Sequence, residues 1–235
     1  MKSLVIVNAG LGDPSTTRQV AERVGDAVVR RVTAAGEGLE VRRIDLRDLA
    51  SDLATYMTTY IPSEALDRAR RTVSAADGLI VATPVFQGSY SGLFKMFFDT
   101  LEMRSLEEVP VTMVATAGTA RHSMVLDYAV RPLLSFLHAL VLPTGVFADT
   151  AEFGADSGLS ARIERAAGEL ARQLTAVRGV RGFTGDSGAP DGAASAGKPR
   201  NSRPVAGEAL QGDGGADFRV PEGGFASLLA GHSGS

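Results

Sequence analysis

Leu4-Val5-Ile6-Val7-Asn8-Ala9-Gly10-Leu11-Gly12-Asp13-Pro14-Ser15-Thr16-Thr17-Arg18 is the stretch that decides the fold. Four apolar residues in a row, stopped at once by Asn-Ala-Gly, are too few for a helix and read as a strand buried on both faces. A glycine-rich loop follows. From Thr16 to about Ala35, Val20, Val24, Ala27, Val28 and Val32 then recur at helical spacing. A fully covered strand that runs through a tight loop into a helix is the opening unit of a parallel α/β sheet.

The alternation continues outward. Glu40 to Leu46 alternates polar and apolar and reads as a second strand, at an edge. Ser63 to Ala76 is helical through Ala65, Leu66, Ala69 and Val73. Leu79 to Ala82 is a continuous apolar strand, and Leu93 to Met103 a helix with Leu93, Met96, Phe97 and Leu101 along one face. Val111 to Ala115 is a fourth strand. Ser123 to Ala139 is helical with Pro132 inside it, and Val141-Leu142 through Val146-Phe147 supply a fifth strand. Leu159 to Ala176 closes the series with a helix. The expected fold class is a doubly wound α/β sheet of five parallel strands. In such sheets ligands sit beyond the carboxyl ends of the strands, so the loops that leave strands are the informative ones.

Composition removes several classes of chemistry. There are no cysteines, which excludes disulfides, thiolate catalysis and Cys-ligated metal centres. With 3 histidines a His-rich metal site is not expected, and none is assigned. The formal charge of -3 speaks against a duplex-binding protein. No apolar run approaches the roughly 20 residues that span a bilayer, and the N-terminus lacks a secretory cleavage pattern, so a cytoplasmic protein is expected. Composition shifts near Val177. Gly, Ala, Ser, Asp and Pro dominate the residues beyond it, which predicts a domain over 1–176 and a flexible tail over 177–235. Within that tail Asp217 to Pro221 and Phe225 to Leu229 form an apolar island, read either as chance or as a docking motif.

Three loops carry candidate chemistry. In Asn8 to Arg18, Gly10 and Gly12 allow close backbone approach. Ser15, Thr16 and Thr17 offer hydroxyls, Arg18 a cation, and the helix N-terminus free N–H groups. That set suits a phosphomonoester, although Ser15 or Thr16 acting only as an N-cap explains the same residues. The loop lacks the Gly-Lys-Ser/Thr of a Walker loop and the third Gly of a dinucleotide fingerprint. In Thr83 to Lys95, Pro84 is expected to turn the chain out of its strand, Phe86 and Tyr90 offer flat apolar surface, and Ser89 and Ser91 are donors or caps. Taken singly, each aromatic is better explained by ordinary packing. In Thr116 to Ser123, backbone around Gly118 could reach a carbonyl-rich ring edge. His122 has no visible partner and favours a structural role.

The segment Thr83-Pro84-Val85-Phe86-Gln87-Gly88-Ser89-Tyr90-Ser91-Gly92-Leu93-Phe94-Lys95-Met96-Phe97-Phe98-Asp99 resembles a signature of NADPH-dependent FMN reductases. Gly10 to Arg18 resembles that family's phosphate loop. Gly118 to Ser123, with Arg131-Pro132-Leu133-Leu134, is similar to the subgroup that supplies luciferase-like monooxygenases. The resemblance spans about residues 1 to 176. It implies a flavodoxin-like fold with strand order 2-1-3-4-5 and FMN plus NADPH or NADH as cofactors. It places Ser15, Thr17 and Arg18 at the FMN phosphate, Pro84, Val85, Phe86 and Gln87 along the ribityl chain and ring, and Gly118 and Thr119 at the isoalloxazine edge. Lys95 and Asp99 are assigned to helix or dimer stability. Phe86 stands where many relatives carry Tyr, so a hydroxyl contact there is missing.

The implied activity is hydride transfer from nicotinamide to flavin N5, which needs no catalytic side chain. Reduced FMN would serve a monooxygenase. A quinone or azo reductase with bound FMN is the enzymatic alternative. A flavodoxin-type electron carrier is the non-enzymatic one. A homodimer or homotetramer is implied by the family, with Phe98 the interface candidate. Arg18, Arg104 and Arg121 are equivalent candidates for a 2′-phosphate contact.

Overall fold

β1 (Lys2–Asn8) is buried from Leu4 onward, and its side chains alternate between two apolar layers. Val5 and Val7 join one layer and Leu4 and Ile6 the other, as a strand covered on both faces requires. The structure, a computed structural model, describes residues 1–152 and 158–176. The expected tail over 177–235, with its Phe225 island, lies outside the described residues.

β1 is flanked by β2 (Leu39–Asp45) and β3 (Gly78–Phe86), both parallel to it. β4 (Ser89–Tyr90) folds back antiparallel on β3, and β5 (Pro110–Ala117) pairs with β3 in parallel. β6 (Leu140–Val141) and β7 (Val146–Asp149) both pair with β5. Counted by position, the parallel strands follow the expected 2-1-3-4-5, and β2 is the edge. The seven strands of the described residues differ from the five expected in two ways. The fifth position is split by Pro143-Thr144-Gly145, where proline has no N–H for the ladder and the Thr144 amide donates to Glu169 instead, at 2.9 Å. The second difference is the short β4.

α1 (Thr16–Ala34) and α6 (Leu159–Thr175) cover one face. Their approach relies on small residues: a Cβ on Gly25 would come within 2.8 Å of Ile6. Arg30 and Arg31 both pair with Glu164 across the two helices, at 2.8 and 2.9 Å. The other face holds α2 (Ala50–Thr59), α3 (Glu64–Ser74), α4 (Gly92–Asp99) and α5 (Arg131–Phe136). Phe94, Phe97 and Phe98 of α4 are fully buried there. Phe98, expected at an interface, is therefore a core residue, packed 4.6 Å from Phe94 and 5.6 Å from Phe97 between ring centres. Lys95 and Asp99, assigned from sequence to helix or dimer stability, form an i,i+4 pair on α4, at 2.6 Å.

Several boundaries moved for local reasons. α2 and the 3-10 turn before it (Leu46–Leu49) had no counterpart in the sequence reading. α2 is rich in Ser, Asp and Thr, weak helix formers, and fully buries only Leu53. The helix expected over 123–139 is a π-helical turn (Leu126–Val130) followed by α5, so Pro132 falls in the first turn of α5, where no N–H is needed. The helix expected over 93–103 ends at Asp99. No helix among the described residues is long and apolar enough to cross a membrane.

Candidate functional site

Three chain segments converge at the carboxyl ends of the parallel strands. The first leaves β1. Asn8 is buried, and its Oδ1 accepts from the Gly10 amide at 3.0 Å while its Nδ2 donates to Asp45 at 2.8 Å. This one side chain shapes the loop and fastens it to the end of β2. Asp45 is also held by Arg43, whose guanidinium is pushed above its ordinary pKa by that carboxylate beside it.

The loop then enters α1 through Ser15, an extended N-cap whose Oγ accepts from the Arg18 amide at 3.2 Å. Gly10 has a specific task here. A Cβ at that position would lie 2.0 Å from Ser15 Oγ and 3.1 Å from Asn8 Oδ1, so glycine is what lets the loop close over its own cap. The amides of Thr16 and Thr17 have no acceptor within the helix, as in any first turn. Thr17 is buried, and its hydroxyl lies 2.7 Å from that of Thr116, near the end of β5. Arg18 Nε is buried without a hydrogen-bond partner, with a Glu22 carboxylate oxygen 3.8 Å away.

The second segment is a hairpin and not a loop. Pro84, expected to turn the chain out of its strand, lies within β3, in register with Thr116. β1 pairs with β3 only as far as Ala82, so beyond that point β3 has a free edge that tolerates proline. β3 ends at Phe86, and Gln87-Gly88, both at positive φ (51° and 75°), turn it into β4. Thr83 Oγ1 accepts from the Ser91 amide at 2.9 Å, and Ser91 in turn caps α4. The third segment is Thr116-Ala117-Gly118, braced by Thr150.

These segments enclose a cleft of about 380 Å³. Leu11, Gly12, Pro14, Ser15, Thr16 and Thr17 form one wall; Pro84, Val85 and Phe86 form another, and Thr116 to Gly118 with Thr150 complete it. Of the residues singled out from sequence, Ser15, Thr17, Pro84, Val85, Phe86 and Gly118 are brought together here. Arg18 lines an adjoining polar pocket of about 280 Å³ with Asp13, Asp45, Arg47 and Asp48. Gln87 occupies the exposed hairpin turn. Thr119 caps a short 3-10 turn by accepting from the Arg121 amide, and His122 is exposed within that turn. Neither Gln87 nor Thr119 lines the cleft. Sequence reasoning missed Thr116 and Thr150 as wall residues. Thr116 carried a signal, being polar at the carboxyl end of an apolar strand, whereas Thr150 carried none.

One end of the cleft thus offers hydroxyls, first-turn amides and a neighbouring guanidinium. The other offers proline, valine and phenylalanine surface with glycine-flanked backbone. That arrangement suits a ligand with an anionic head and a flat apolar body. Among the described residues no cluster could hold a metal ion.

Comparison with known proteins points the same way. A family model described as NADPH-dependent FMN reductase matches residues 1–153. The NADH-dependent FMN reductase SfnE of Pseudomonas putida is 37% identical over 171 residues, covering 70% of this chain and 88% of the relative. An FMN reductase (NADPH) of Pseudomonas aeruginosa is 38% identical with the same coverage, 70% and 88%. Among solved structures, an oxidoreductase from Corynebacterium diphtheriae superposes with a TM-score of 0.72 at 52% identity, covering 74% of this chain and 97% of that one.

Proposed function

This chain belongs to the NADPH-dependent FMN reductase family, and from that premise we propose that it is an oxidoreductase that passes hydride from NADH or NADPH to FMN seated in the cleft between β1, β3 and β5. The observation that carries the reading is the convergence of those three strand ends on one cleft that is polar at one end and apolar at the other. FMN supplies, when bound, a ring that accepts hydride from a nicotinamide at N5.

The residues fit that group. Arg18 Nε is a buried donor without a hydrogen-bond partner, and such an atom is costly unless a ligand satisfies it. With the free amides of Thr16 and Thr17 and the hydroxyls of Ser15 and Thr17 it forms a donor set for a phosphate dianion. Pro84 and Val85 line the ribityl chain and ring, Phe86 stands beside them in the same wall, and Gly118 leaves the backbone open at the ring edge. Gln87 and Thr119, off the cleft wall, are left with outer contacts at most. The chain's own work is to bind, orient and admit, with no side chain required to move a proton.

The same reading extends to release. Leu11 and Phe86, on opposite walls, are 43% and 47% exposed, so the ring end stands open to a nicotinamide and to exchange. We propose that the protein hands reduced FMN to a partner monooxygenase of the luciferase-like class, that it works as a homo-oligomer in the cytoplasm, and that its domain ends near residue 176. Both coenzymes remain in the proposal, since the relatives are named for NADH in one case and NADPH in the other.

The test is NADH and NADPH oxidation by purified protein, with and without added FMN, beside its visible spectrum as isolated. Nearly colourless protein whose oxidation rate depends on added FMN is the expected result. A yellow protein that turns over only with a quinone or azo dye would replace a shuttled flavin by a held one. A yellow protein inert to both nucleotides would contradict the reductase reading.

A further inference from the structure

Two hydroxyls 99 residues apart in sequence meet in the cleft wall. Thr17 Oγ1 and Thr116 Oγ1 lie 2.7 Å apart, and either could be the donor. The two residues are 3% and 5% exposed, and both border the cleft. Each hydroxyl carries one proton and can also accept. One proton is used between the pair. The other has no acceptor among the described residues, and a donor buried this deeply is unfavourable if left unmade.

The direction of the bond decides where the spare proton goes. If Thr17 donates, the proton is left on Thr116, at the end of β5. If Thr116 donates, it is left on Thr17, in the first turn of α1, where the unbonded amides and the positive end of the helix dipole already favour an anion. An anion at that place selects the second direction. We propose that Thr116 is a positioning residue: its hydroxyl donates to Thr17 Oγ1 and so commits the Thr17 proton to the phosphate of the bound flavin. Thr116 acts through Thr17 and does not itself touch the phosphate. The chain of two hydrogen bonds also polarises the Thr17 hydroxyl, which makes it a better donor. This inference rests on the reading of the cleft as a flavin site.

Flavin-fluorescence titrations of the full chain with FMN and with riboflavin, which lacks the phosphate, test it. Thr116→Val, a shape-conserving change, is expected to weaken FMN about three- to tenfold and riboflavin less than twofold. Thr116→Ser keeps the hydroxyl and is expected to retain FMN affinity. In a Thr17→Val background, Thr116→Val is expected to cost nothing further, because its only route to the phosphate is gone. Equal weakening of both flavins, additive losses in the double variant, or no loss at all would each overturn the proposal. If the unsubstituted protein binds riboflavin as tightly as FMN, the phosphate reading itself fails, which is a distinct result from a failure of Thr116 alone.

Discussion

The two ends of the cleft are built on opposite plans. At the α1 end the side chains are fixed by one another: Asn8 holds Gly10 and Asp45, Ser15 the Arg18 amide, and Thr17 meets Thr116. Ser15, Thr17 and Thr116 are each at most 5% exposed. At the hairpin end Phe86 is 47% exposed, and the Gln87-Gly88 turn beyond it is exposed and closed by the short β3–β4 pairing. The polar end is set before any ligand arrives and therefore loses little entropy on binding, whereas the apolar end presents a face and leaves room beside it. A protein that grips a phosphate and leaves a ring accessible is suited to bringing a second planar substrate onto that ring, and to letting the first one go.

The contrast can be broken most severely at Gly10. Gly10→Ala sets a methyl 2.0 Å from Ser15 Oγ, so the cap or the loop must move. The expected cost is about 1–3 kcal/mol of stability, read by denaturant midpoint, with at least tenfold weaker FMN binding. Unchanged FMN affinity would mean that the loop does not hold the phosphate. Ser15→Ala is the next largest. Loss of the cap costs roughly 1 kcal/mol in stability, and FMN should suffer more than riboflavin in the same titration.

Phe86→Ala probes the other end. Stability should stay within about 0.5 kcal/mol, since the ring is exposed. The KM for FMN and for riboflavin should rise together, by about threefold, because ring contact and not phosphate contact is lost. A rise confined to FMN would erase the distinction between the two ends. The smallest effect lies away from both. Glu164, with its carboxyl held below the usual carboxylate range by hydrogen bonding to Arg31 and, after it, to Arg30, ties α6 to α1 on the surface. A depressed native pKa means that the pair contributes above the ordinary value and is lost as pH falls through the native one. With the side chain 45% exposed, Glu164→Gln should cost only a few tenths of a kcal/mol near pH 7 and nothing once the carboxyl is protonated. A pH-independent loss in thermal melts would contradict this.

How much of this was legible in the sequence follows the same division. The run from Leu4 to Arg18 was readable because strand, glycine loop and capped helix each leave a local pattern, and the structure has them where the pattern put them. The hairpin was less so. Pro84 looked like an exit from the strand because nothing local reveals that β1 has already stopped pairing there. Phe98 looked like surface because it lies off the stripe of Leu93, Met96, Phe97 and Leu101, but a short helix wedged between a sheet and α2 buries more than one stripe. α2 itself was silent, since a helix with one fully buried residue has almost no periodic signal. The Thr17–Thr116 contact lay beyond reach altogether, since it joins the first turn of α1 to the end of β5, which only the sheet order brings together.

If one end of the cleft holds a phosphate while the other admits the reacting ring, FMN and riboflavin must differ in binding and not in turnover. Steady-state oxidation of NADH or NADPH with FMN and with riboflavin as alternative acceptors tests it most directly. The expected result is a KM for riboflavin about tenfold or more above that for FMN, with kcat values within a few-fold of each other, because the phosphate contributes binding and not chemistry. Equal KM values for the two flavins, or no turnover with either, would contradict it.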